Sequence, residues 1–171
     1  MVNLKELIEY FRGLCDHPAS RWNSETMVEG RVPGIRGFVV DTVSEESGKK
    51  YQGLSKGQCP VLSLLLPTAQ SVSTSADAVV ERNTVVIVLL DKYDPQRKDA
   101  VETCVETQPL IEAVKRCMVE DKADGCKVLG NLNVASFSTM PETGVYGTLA
   151  GWSLGFTFDT FGLGDCNEET L

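Results

Sequence analysis

The sequence predicts an α+β domain: a mostly antiparallel sheet flanked by an N-terminal helix and a long, Pro-kinked helix, with an extra hairpin or arm. Three observations carry this. Trp152, Leu154, Phe156 and Phe158 alternate with Ser153, Gly155, Thr157 and Asp159, the period of a half-buried strand. The nearly unbroken apolar run from Thr84 to Leu90 has the character of a central strand covered on both faces. Strand patterns come in groups between helical stretches rather than as regular βαβ repeats.

Taken in order, the first helix opens at Asn3, with Glu6 three residues on as in a capping box. Leu4, Leu7, Ile8, Phe11 and Leu14 follow at helical spacing, Gly13 weakens the end, and His17-Pro18 stops it. From Ala19 to Gly57 the pattern is weak. Arg31 to Gly37, with Pro33 and two glycines, predicts a loop. Phe38 to Val43 predicts a strand, Ser47-Gly48-Lys49-Lys50 a turn, and Tyr51 to Leu54 a return strand. Residues 31–57 are therefore expected to form an exposed arm or hairpin.

Val61 to Leu66 predicts the next strand, stopped by Pro67, and the small polar stretch Ser71 to Ala78 a mobile loop. Val79 and Val80 fit the start of the strand that runs through Leu90. Asp94-Pro95 has the chemistry of a helix start. Val101, Cys104, Val105, Ile111, Val114 and Met118 then trace an apolar stripe, and Pro109 is expected to kink or split it near Thr107. Lys122 and Gly125 mark its end. A strand over Leu132 to Phe137, a turn-rich Pro141 to Gly147 and the alternating strand complete one domain over residues 1–161. Residues 162–171 read as a flexible acidic tail.

With 171 residues, 42% hydrophobic and 23% charged, the chain has the composition of a globular protein. No apolar run approaches the roughly 20 residues of a membrane span, and the N-terminal residues lack a signal-peptide core. A cytoplasmic site is expected. The net charge of −8 falls wholly in residues 61–171, which hold eight Lys/Arg against 16 Asp/Glu. That balance argues against nucleic-acid and anionic-membrane partners, while leaving room for a local basic patch at Arg31, Arg36, Lys49 and Lys50. The six cysteines contain no Cys-x-x-Cys pair and are expected to be reduced thiols.

No catalytic, cofactor or metal site is predicted. Gly151-x-Ser153-x-Gly155 has the letters of a hydrolase nucleophile motif, but the alternation runs straight through Ser153 with no helix pattern after it. The single histidine, His17, lies upstream, whereas that fold places it downstream of the serine and acid. Cys15-Asp16-His17 is too compact for a tetrahedral metal set or a Cys–His dyad argued from spacing. Asp121, Asp124 and Gly125 lack the alternate spacing of a calcium loop. Trp152 belongs to the core set, and Trp22 fits a core or a binding face equally.

Leu89-Leu90-Asp91-Lys92, the long helix after it, and Tyr146-Gly147 followed by Gly151-Trp152-x-Leu154-x-Phe156-Thr157-Phe158 resemble the tail-completion and tail-terminator proteins of tailed bacteriophages and prophages. The first helix and the Cys59-Pro60-Val61-Leu62 strand are similar in placement. Thr148-Leu149-Ala150 separates the two motif pairs more widely than the family pattern, and residues 31–54 have no counterpart in it. The resemblance implies a non-enzymatic virion protein without cofactors. Its subunits would form a ring, often a hexamer, that caps the tail tube and meets the head connector, in the bacterial cytoplasm during assembly and then in the virion tail. Arg31, Arg36, Lys49, Lys50, Tyr51 and Arg82, on the unmatched arm and the 71–82 loop, are the expected assembly contacts. The alternative reading is a small ligand-binding or regulatory module with a pocket near Trp22 and Cys104.

Overall fold

Leu7, Phe11 and Leu14 form the buried face of helix α1 (Leu4–Leu14), and Asn3 Oδ1 accepts the Glu6 N–H at 3.3 Å to cap it. The computed structural model describes residues 2–20, 22–42, 45–72 and 80–161. Most of the predicted 71–78 loop, Val79 and the 162–171 tail fall outside them.

Six strands make the main sheet: β3 (Gly37–Asp41), β4 (Val61–Leu65), β5 (Thr68–Ser71), β6 (Val80–Lys92), β7 (Leu132–Val145) and β8 (Leu149–Phe161). They lie in the order β3–β4–β6–β8–β7, with β5 also paired to β6. All pairs are antiparallel except β3–β4, so the mostly antiparallel expectation holds. The long β6–β8 ladder is the spine, running from Val80 opposite Phe161 to Lys92 opposite Leu149. Pro141, expected in a turn, lies within β7. That strand is at the sheet edge, where a missing N–H is tolerated.

Neighbours on a strand face opposite ways, and the sheet is covered on both sides. Leu62, Leu89, Leu154, Phe156 and Phe158 join Leu7, Phe11, Ile111, Val114 and Met118 in the main core beneath the helices. Val61, Leu90 and Leu149 join Tyr51 and Cys59 in a smaller core on the other face. The element over that face is helix α2 (Glu45–Gln52).

The segment 31–57 is not an exposed hairpin. Val32, Ile35 and Tyr51 are buried, β3 is a sheet strand, and the predicted turn at 47–50 and return strand at 51–54 are helix α2 and the turn that ends it, with a short 3-10 turn following at Lys56–Gln58. Gly48 and the polar run disguise this helix, which is fixed by Tyr51 packing on the sheet. The extra hairpin does exist, but earlier in the chain: β1 (His17–Ser20) and β2 (Asn23–Val28) form a separate two-stranded sheet.

The long helix α3 (Ala100–Ala123) starts five residues later than expected. Asp99 and Glu102 form a reciprocal capping box, while Asp94 closes a turn by accepting the Lys98 N–H at 3.0 Å. The helix runs through Pro109 without splitting. Val101 and Val105 lie on its exposed side, and Thr103 and Thr107 take their places in the buried stripe. Thr103 and Thr107 hydroxyls donate to carbonyls one turn back, Asp99 O and Thr103 O, which makes their burial tolerable. At the far end Gly125, at φ 83°, and Cys126 donate to Lys122 O and Asp121 O in a Schellman cap.

Candidate functional site

The β1–β2 ribbon is rooted firmly and then leaves the body of the protein. Asp16 Oδ1 accepts the Gly30 N–H at 2.8 Å and Oδ2 accepts the Gly34 N–H at 3.3 Å. Asp16 N–H donates to Ile35 O at 2.8 Å, and Val32 N–H to Leu14 O at 2.9 Å. Glycine is needed at position 30, because a Cβ there would stand 2.4 Å from the Cys15 and Leu14 backbone. Beyond this root the extensive contacts of the two strands are with each other. Trp22 is 94% exposed at the turn, with Met27 and Val28 also open to solvent. A two-stranded ribbon is marginal in water by itself, and a tryptophan in the open is a costly way to build one.

Two clefts adjoin the ribbon and the sheet end. One, of about 680 Å³, lies between His17, Pro18 and Met27 of the ribbon and Phe38, Leu54 and Val61 of the body. Arg12 stands over the Phe38 ring at 5.7 Å on its edge. The second, of about 600 Å³, lies where β6 ends, β4 begins and the turn before α3 passes. Arg36 lines both.

The six expected contact residues do not form one surface. Tyr51 is buried, donating or accepting a hydrogen bond with Ser63 Oγ and stacked on Tyr146 at 5.1 Å, so it is a core residue. Burial raises its phenol pKa. Lys49 and Lys50 are exposed on α2, and Lys50 Nζ donates to Val40 O at 3.0 Å. Arg82 forms a two-pronged pair with Asp159 across the β6–β8 ladder, at 2.8 and 3.0 Å. Arg31 clasps Asp121 of α3 in the same way, and Tyr10 of α1 donates to Asp121 Oδ2 at 2.7 Å. Arg36 alone remains exposed in a cleft. Sequence reasoning missed the ribbon because Pro18 reads as a helix stop and no Asn-Gly or Asp-Gly marks its turn.

The Arg31–Asp121 clasp has a pH signature. The Arg31 hydrogen bond, helped by that of Tyr10 and opposed by burial, holds the Asp121 carboxyl below its ordinary range. A depressed folded-state pKa stabilises above the unfolded value and is lost as pH falls through the folded one. With Arg31 half exposed to solvent, Asp121→Asn should cost about 1 kcal/mol at pH 7. Urea melts should show that difference shrinking below about pH 4.

Ser153 sits in mid-strand, opposite Val88 and Met140, and not at the strand-to-helix turn a nucleophile elbow requires. His17 Nδ1 lies 3.1 Å from Cys15 O. Among the described residues no three His, Cys, Asp or Glu side chains converge as metal ligands would, and no helix is long and apolar enough to cross a membrane. The five described cysteines are free thiols, and burial pushes Cys15 up to about 12. Trp152 Nε1 donates to Cys104 O at 2.8 Å, with Cys104 buried beneath, so Cys104 and the outlying Trp22 do not wall a common pocket. No known protein family matches this chain, and no curated protein is similar to it.

Proposed function

We propose that this protein is a non-enzymatic assembly subunit of the tail-terminator type, which associates with copies of itself in a ring at the end of a phage tail tube. The observation that carries the self-association is the ribbon. A hydrogen-bonded root presents Trp22, Met27 and Val28 to solvent on a ribbon whose extensive contacts are between its own two strands. Large aromatic side chains on such projections are the usual energetic centres of protein–protein contacts. The tail-terminator part of the reading draws on the closing strand from Gly151 to Phe158 and on the Tyr146-Gly147 turn before it. A ligand-binding module is the second reading, favoured by the size of the 680 Å³ cleft.

Sedimentation velocity over a concentration series tests the proposal. The unaltered chain should associate, and Trp22→Ala should weaken that association about tenfold or more. Its unfolding free energy should stay within about 0.5 kcal/mol, since the side chain is exposed. A chain that stays monomeric throughout contradicts self-association and leaves the ligand-binding reading.

A further inference from the structure

The chain carries a net charge of −8, yet one cleft gathers Arg36, Lys56, Lys92, Arg97 and Lys98 against only Asp91 and Asp94. Such a cleft focuses positive potential in an otherwise acidic protein. Three of the five cations are engaged: Lys92 Nζ donates to Leu54 O at 3.2 Å, Arg97 lies 3.7 Å from Asp94, and Lys98 pairs with Glu106. Arg36 and Lys56 are exposed and have no ion-pair partner among the described residues.

We infer that this cleft receives the acidic segment 162–171 of a second copy of the chain. The segment holds Asp165, Glu168 and Glu169 and no Lys or Arg. It follows Phe161, which pairs with Val80 at one end of the β6–β8 ladder, whereas the cleft lies beyond Lys92 and Leu149 at the other. Twelve residue steps separate Leu149 from Phe161, roughly 40 Å of strand. Glu169 is eight residues past Phe161 and reaches at most about 29 Å when fully extended. A chain's own acidic segment therefore falls short of its own cleft, and the complementary charge comes from a neighbour. Joining the sheet end of one copy to the opposite end of the next is a heterologous contact, the kind that closes into rings or runs into filaments. The inference rests on the self-association proposed above and names a joint within it.

Sedimentation equilibrium of full-length chains, at low and high salt, tests the joint with two variants: Arg36→Glu/Lys56→Glu, and Asp165→Asn/Glu168→Gln/Glu169→Gln. The unaltered chain should associate more weakly as salt rises. Each variant should lose about tenfold in association, and mixing the two should restore a dimer, because one intact cleft then meets one intact acidic segment. The second variant is decisive in sign. Removing three negative charges from an acidic chain lowers general repulsion and by itself tightens association, so weakening supports the joint. Unchanged or tighter association of that variant overturns it. In that event the self-association reading stands if Trp22→Ala still dissociates the assembly. Both fall if the unaltered chain is monomeric at every concentration and salt.

Discussion

Gly151→Ala should destabilise the protein by about 3 kcal/mol or more, enough to remove much of the folded population of a domain with ordinary stability. A Cβ at this position would lie 1.9 Å from Leu89 O, with Leu89 C and Leu90 Cα also inside contact distance. Those are backbone atoms of β6, the central strand of the spine, so no side-chain rotation relieves the clash. Either β6 and β8 separate locally, losing ladder hydrogen bonds, or the strain spreads through the sheet. Gly155, four residues on in the same strand, is the internal control. Its Cβ would meet nothing nearer than Ser138 O at 3.9 Å. Gly155→Ala should therefore be neutral, or stabilising by about 0.5 kcal/mol through strand entropy. Urea unfolding of both variants checks this. Equal losses would show that the close approach at Gly151 is not what demands glycine there.

Phe156→Ala should cost about 3–5 kcal/mol. Phe156 is fully buried on the main core face of β8, with Phe11 and Phe137 at 6.0 Å and Phe158 at 5.7 Å between ring centroids. It joins α1, the edge strand β7 and its own strand in a single cluster, so the cavity left by truncation borders three elements with little freedom to collapse. The urea midpoint should fall with an unchanged denaturant slope, the mark of a stability change in the native core. Phe156→Leu, which keeps most of the volume, should lose far less. A loss below about 1 kcal/mol for the alanine variant would contradict the core position.

Much of the architecture was legible where a period or a cap is local. The Leu7–Phe11–Leu14 stripe, the Thr84 to Leu90 run and the Trp152 to Phe158 alternation each name their own partner face. The Gly125 end of α3 was legible for the same reason, since a left-handed cap needs a residue that adopts positive φ. What failed depends on contacts remote in sequence. Only the sheet's second face, with Val61, Leu90 and Leu149, gives Tyr51 something to bury against and so makes a helix of residues 45–52. Asp94 and Asp99 are both competent caps, and Glu102 decides for the second by reaching back to the Asp99 N–H at 3.3 Å. Val101 and Val105 are apolar but sit on the outward side, a register set by where α3 meets β8 rather than by composition.

The candidate surface was less legible still. The six cationic and aromatic residues expected to make contacts share a charge or a segment, but not a face. Arg31 and Arg82 are taken up at the surface by Asp121 and Asp159, and Tyr51 turns into the second core. Trp22, left open between core and binding face, proves to be outside. No short-range pattern announces that, because the ribbon's projection is fixed at its root, by Asp16, Gly30 and the strand of loop that follows.

The most direct test of the assembly reading is the environment of Trp22 itself. The chain has two tryptophans; in a Trp152→Phe protein all indole fluorescence comes from the ribbon. On raising the protein concentration, the emission should move to the blue and iodide quenching should fall as the indole leaves water for a neighbouring subunit. Emission and quenching that stay those of a solvated tryptophan, in samples shown by light scattering to have associated, would contradict the claim that the ribbon makes the contact.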